Sequence, residues 1–67
     1  MTDRPISLLR MAEVKRRTAE AESTIWEKIK RGEFPPPVKL SERSRAWVDH
    51  EIDAYIDGRI RASREAA

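Results

Sequence analysis

The sequence predicts a small, mainly α-helical domain that carries one β-hairpin. Three observations lead there. An apolar stripe at helical spacing runs over residues 9–31, a proline triplet opens a short extended stretch over 34–47, and a second amphipathic stripe runs over 49–60. With 67 residues the chain is expected to form one domain with a small core.

In the first segment Met11, Val14, Thr18, Ala21, Ile25 and Ile29 recur every three or four residues and share one helical face. Residues 18–22 hold good helix formers and no breaker, so the pattern is compatible with one continuous helix. A second start signal lies inside it, because Thr24-Ile25-Trp26-Glu27 has the S/T-x-x-E form of a capping box. Both readings stay open. Gly32, just after Lys30 and Arg31, marks the helix stop.

Pro35, Pro36 and Pro37 cannot sit in a helix or a central strand, since proline fixes φ and lacks an amide donor. They lead stiffly into a strand over Val38-Lys39-Leu40. Polar Ser41-Glu42-Arg43-Ser44 suits a turn, and Arg45-Ala46-Trp47 the return strand. The last helix is expected from about Asp49 to Ile60, with Ile52, Tyr55, Ile56 and Ile60 on one face and Asp49 as N-cap. Residues 1–8 are expected to form an N-terminal arm, residues 9–61 the domain, and 62–67 a fraying polar tail. The expected core is Val14, Ile25, Ile29, Phe34, Trp47, Ile52, Tyr55 and Ile56.

Several functions are disfavoured. No cysteine is present, so neither a disulfide framework nor a cysteine zinc site braces the chain. The one histidine, His50, has no Cys or His partner, which argues against a metal site, a nucleophilic triad and an enzyme. No cofactor is implied. No secretory or membrane-spanning segment is evident, and a cytoplasmic location is the default expectation.

The net charge is only +2, but it is unevenly spread. Residues 10–31 carry seven basic and four acidic side chains, and 34–47 three basic and one acidic. Residues 48–57 carry four acidic and no basic ones, and 59–67 again three basic and one acidic. Such asymmetry fits one face toward phosphate and another away from it, although a solvated mixed-charge surface gives the same numbers.

Leu8-Leu9-Arg10-Met11-Ala12-Glu13-Val14, Ser23-Thr24-Ile25-Trp26, Gly32-Glu33-Phe34-Pro35, Val38-Lys39-Leu40 and Ala46-Trp47, in this order and spacing, resemble the AlpA-like family of phage and island regulators. The run from Phe34 to Lys39 is also similar to the equivalent stretch of the phage lambda excisionase. The resemblance spans roughly residues 8–60. It implies a MerR-like winged helix-turn-helix, with a first helix near 11–17, a recognition helix near 23–30 and the hairpin as wing. Members of the family act as recombination directionality factors, or excisionases, and some regulate transcription. The implied partners are double-stranded DNA, neighbouring copies of the protein on DNA, and a site-specific integrase. The chain departs from the family in the turn, where Ala19-Glu20-Ala21-Glu22 replaces the usual Gly-Leu-Ser-Arg, and at Glu27, where Arg is common.

Under this resemblance Ser23, Thr24, Glu27, Lys28 and Arg31 are expected on the outer face of the recognition helix. The hydroxyls and cations there suit phosphate or base edges. Glu27 either accepts from a cytosine amino group or serves the Thr24 cap. Trp26 either packs on sugar-phosphate, covers the core or meets a neighbouring protomer. Arg16 and Arg17 suit phosphate, or simply the end of the first helix. Lys39, Arg43 and Arg45 decorate the wing, with Arg43 at the tip placed for the minor groove, unless the charges only protect an edge strand. Two other functions fit the residues: a plain transcriptional regulator, and a helical protein-interaction module whose stripe over residues 9–31 zips against a partner.

Overall fold

A computed structural model describes residues 5–66. Strand β1 (Leu8–Leu9) is followed by helices α1 (Met11–Thr18) and α2 (Glu22–Lys30), strands β2 (Val38–Ser41) and β3 (Ser44–Val48), and helix α3 (Asp49–Ala66). The architecture is mainly helical with a three-stranded antiparallel sheet of order β1-β3-β2, the arrangement of a winged helix-turn-helix.

The continuous-helix reading of residues 9–31 is corrected. Ala19 adopts a left-handed conformation, φ 58° and ψ 32°, and ends α1 by donating its N–H to the Lys15 carbonyl at 2.8 Å. The reason lies in the core. Val14 and Ile25 are both fully buried in one cluster with Leu9, Phe34, Trp47 and Ile52. An unbroken helix would hold two residues eleven positions apart at about 16 Å, too far to share a small core.

The capping box at Thr24 does not form. The N-cap of α2 is Ala21, which has no side-chain cap and opens the helix by accepting the Ile25 N–H at 3.0 Å. Glu27 is therefore free of a capping role. The stop at Gly32 is confirmed in detail. Its φ is +74°, its N–H reaches the Ile29 carbonyl at 3.1 Å, and the Glu33 N–H reaches that of Lys28 at 2.8 Å, which together make a Schellman ending.

The hairpin forms with a two-residue turn at Glu42 and Arg43. Val38 faces Ala46, Lys39 faces Arg45 and Ser41 faces Ser44, with a register shift between Lys39 and Ser41. The return strand is longer than expected because β3 has a second partner. Leu8 pairs with Val48 and Leu9 with Trp47. The N-terminal arm expected over 1–8 is corrected accordingly: residues 1–4 lie outside the described residues, but Leu8 belongs to the sheet. Ser7 accepts the Asp49 N–H at 2.9 Å, which ties this edge to the start of α3.

Asp49 opens α3 and is itself buried, its carboxylate accepting the His50 N–H at 2.7 Å. The expected fraying tail is also corrected, since α3 continues to Ala66 and Ile60 projects into solvent. Of the expected core, Val14, Ile25, Phe34, Trp47 and Ile52 are buried, and Ile29, Tyr55 and Ile56 pack partly exposed against them. Leu9 and Ala46 join them unannounced. Among the described residues no helix is long and apolar enough to cross a membrane.

Candidate nucleic-acid interface

Helix α2 lies with Ile25 and Ile29 toward the core, which fixes the direction of its other side chains. Ser23, Glu27 and Lys30, at i, i+4 and i+7, form the outermost stripe, and Thr24 flanks it. All four are exposed. Lys30 was not singled out from the sequence, because its outward direction follows only once Ile29 and Ile25 are known to face inward.

Trp26 sits on the flank of α2 toward the wing. It is 37% exposed, and its ring meets buried Trp47 with centroids 5.8 Å apart and planes tilted by 56°. Trp47 is held in turn by its indole N–H, which donates to the Pro35 carbonyl at 3.0 Å. Trp26 thus combines two of its expected roles, covering the core with one face and offering an edge to solvent.

The wing and α2 enclose a groove of about 340 Å³ lined by Met11, Glu22, Trp26, Arg43, Arg45 and Trp47. The structure therefore brings together three predicted residues from two elements. Arg43 stands at the hairpin turn, and Arg45 lies opposite Lys39 across the β2–β3 ladder. Neither Arg43 nor Arg45 makes an ion pair among the described residues, so both guanidinium groups are available to an anion. Lys39 is loosely paired with Glu42 at 3.8 Å, and Arg31 with Glu33 at 3.4 Å, both at exposed positions where such pairs exchange readily.

Lys28 is not on the outer face, and this expectation is corrected. It turns toward α3, donating to the Tyr55 hydroxyl at 2.8 Å and lying 3.1 Å from Glu20 Oε1. The hydrogen bond to Tyr55 and then that to Glu20 push its pKa up. Burial, reinforced by the Glu20 carboxylate, raises that of Tyr55.

Arg16 and Arg17 are likewise not free. Both bind Glu13, with Arg16 Nε at 3.0 Å from Oε1 and Arg17 Nε at 3.0 Å from Oε2, and Arg17 also reaches Asp53 at 3.5 Å. These two guanidinium groups hold the Glu13 carboxyl down at about 2. Arg17 serves to join α1 to α3. Arg16 keeps most of its side chain in solvent.

The surface thus divides. One side offers Ser23, Thr24, Trp26, Glu27 and Lys30 from α2 and Arg43, Arg45 and Lys39 from the wing. Asp53, in the acidic first half of α3, is engaged with Arg17 of α1. Such a surface can take a polyanion along the wing and polar group edges along α2.

Over 52 residues the chain is 44% identical to a protein of Enterobacteria phage P4 described as "Uncharacterized protein ORF88". The match covers 78% of this chain and 59% of the phage protein, so the chain spans little more than half the length of that relative. No solved structure gives a significant match. The family model described as "Prophage CP4-57 regulatory protein (AlpA)" matches residues 7–60, from the first strand through the wing into α3, and the chain belongs to that family.

Proposed function

We propose that the chain is a sequence-specific DNA-binding regulator that acts, without chemistry of its own, as a recombination directionality factor. Helix α2 enters the major groove with Ser23, Thr24, Glu27 and Lys30 toward base edges and phosphate, and Arg43 at the wing tip reaches the adjacent minor groove. Trp26 packs on the sugar-phosphate between them, beside Arg45. The observation that carries this reading is that Arg43 and Arg45, which make no ion pair among the described residues, line one groove with Trp26 of α2. In excision, several copies side by side on repeated sites bend the DNA and help an integrase. Smooth bending of a short site costs on the order of 1–6 kcal/mol, so the copies share that cost.

Two measurements test this. Titration of a duplex carrying direct repeats should give cooperative binding that weakens steeply with salt. Independent, weak and salt-insensitive binding would overturn the DNA-binding reading. An excision assay with the cognate integrase, with and without the protein, should show dependence on it. Unchanged excision combined with an altered promoter reporter would instead support the second reading, a plain transcriptional regulator, which the family's description as a regulatory protein favours.

A further inference from the structure

The turn between α1 and α2 is held by a polar cluster drawn from three segments. Glu20 lies in the turn, Lys28 on α2 and Tyr55 on α3. The Tyr55 hydroxyl donates to Glu20 Oε2 at 2.5 Å and accepts from Lys28 Nζ at 2.8 Å, while Nζ sits 3.1 Å from Glu20 Oε1. Tyr55 hydrogen-bonds to both partners, whereas Lys28 and Glu20 meet as an ion pair, and Glu20 Oε1 accepts no hydrogen bond among the described residues. Glu20 and Lys28 are largely withdrawn from water, with side chains 17% and 20% exposed, and Glu20 Oε1 is sealed from solvent. The Tyr55 ring is fixed against Phe34, its centroid 4.5 Å away.

The apolar contacts of α2 come from Ile25, Ile29 and one face of Trp26, and apolar burial carries little angular preference. They keep the helix against the core and specify its rotation and tilt less sharply than directional bonds do. Hydrogen bonds fall off steeply with angle, so the two that meet at the Tyr55 hydroxyl can fix what the apolar contacts leave loose. Lys28 is also poorly placed to serve phosphate. Leaving the cluster would strand the sheltered Glu20 carboxylate without its cation.

We propose that Glu20, Lys28 and Tyr55 are positioning residues that set the orientation of α2 against α3, and that Lys28 serves DNA recognition through this cluster and not by touching phosphate. The proposal rests on the DNA-binding reading above for its consequence, but not for the cluster itself.

The test compares Lys28→Met, Glu20→Gln and Tyr55→Phe with Arg45→Ala, using a fluorescent duplex selected from a random pool for binding to the wild-type protein. Each cluster variant should lose on the order of tenfold in affinity, with the slope of log K against log salt unchanged. Arg45→Ala should instead reduce that slope by about 0.9, the value for one lost phosphate contact. The double variant Lys28→Met with Glu20→Gln should bind no worse than the weaker single variant, because the three groups act as a unit. A slope reduced by about 0.9 in Lys28→Met would make Lys28 a phosphate contact and overturn the proposal. Wild-type affinity in folded Glu20→Gln and Tyr55→Phe would overturn it equally. Tyr55→Phe removes one oxygen and keeps the ring on Phe34, so it decides the matter if Lys28→Met does not fold. If the wild-type protein binds no duplex, the DNA reading fails and the cluster is judged by NMR. Amide shifts in Tyr55→Phe that spread along residues 19–30 would support positioning, and shifts confined to the neighbours of residue 55 would overturn it.

Discussion

Trp47 and Pro35 are joined by a hydrogen bond from the indole N–H to the proline carbonyl, 3.0 Å long, and this contact pins the base of the wing to the stretch that leads into it. The Trp47 ring is at once the largest fully buried side chain and the neighbour of Trp26. Trp47→Phe keeps an aromatic ring but removes the donor and leaves space. It should destabilise the fold by about 1–3 kcal/mol through the unsatisfied acceptor and the cavity. Chemical denaturation checks the loss, and Trp26 emission in the same variant should shift as its packing partner changes.

Ala19→Gly should stabilise the protein. Alanine at φ 58° carries the left-handed penalty that glycine escapes, and glycine's larger unfolded-state entropy offsets only part of the gain. A net increase of about 0.5–1 kcal/mol is expected, measured as a higher melting temperature. Unchanged or lower stability would mean that the methyl group compensates through packing.

Arg45→Ala should weaken DNA binding mainly through its salt dependence, lowering the slope by about 0.9 if one phosphate contact is lost. Arg16→Ala should change it little, since Arg16 is already engaged with Glu13. Fluorescence anisotropy across a salt series separates the two.

Stability should fall at both ends of the pH scale for different reasons. Folding raises the pKa of Lys28 above 10.5 and that of Tyr55 above 10.0. The folded state thus keeps both protons after the unfolded chain begins to lose them. Their contribution is complete below about pH 10 and is lost as pH rises through the folded values. Glu13 behaves oppositely. Its pKa falls from 4.5 to about 2, so its contribution is complete above the unfolded value and is lost as pH falls toward 2. Urea midpoints across pH should show both limbs, with Tyr55→Phe flattening the alkaline one and Glu13→Gln the acid one.

Much of the fold was legible because its signals are local. Three prolines dictate an extended chain, Gly32 accepts the positive φ of a helix ending, and the stripes of isoleucines mark the buried faces. The placement of Arg43 at a hairpin turn follows from the same punctuation. The sheet's third strand was not legible, since two residues, Leu8 and Leu9, carry no periodicity of their own. The candidate site was legible as a set of elements and misread in detail. Lys28 and Lys30 are equally basic by sequence, yet one turns to Glu20 and Tyr55 and the other to solvent.

By itself the sequence determined a small mainly helical domain with a proline-led hairpin, its principal core residues and the basic character of the wing, because these depend on backbone preferences and hydrophobic period. The periodicity left the break in the first stripe open and the family resemblance placed it at residues 19–22, but only the tertiary structure decided what makes that break and which cations remain available. Ala19 has no local reason to turn left-handed. It does so because Val14 and Ile25 must meet in one core, and Lys28 is drawn inward because a carboxylate and a phenol from distant segments arrive beside it.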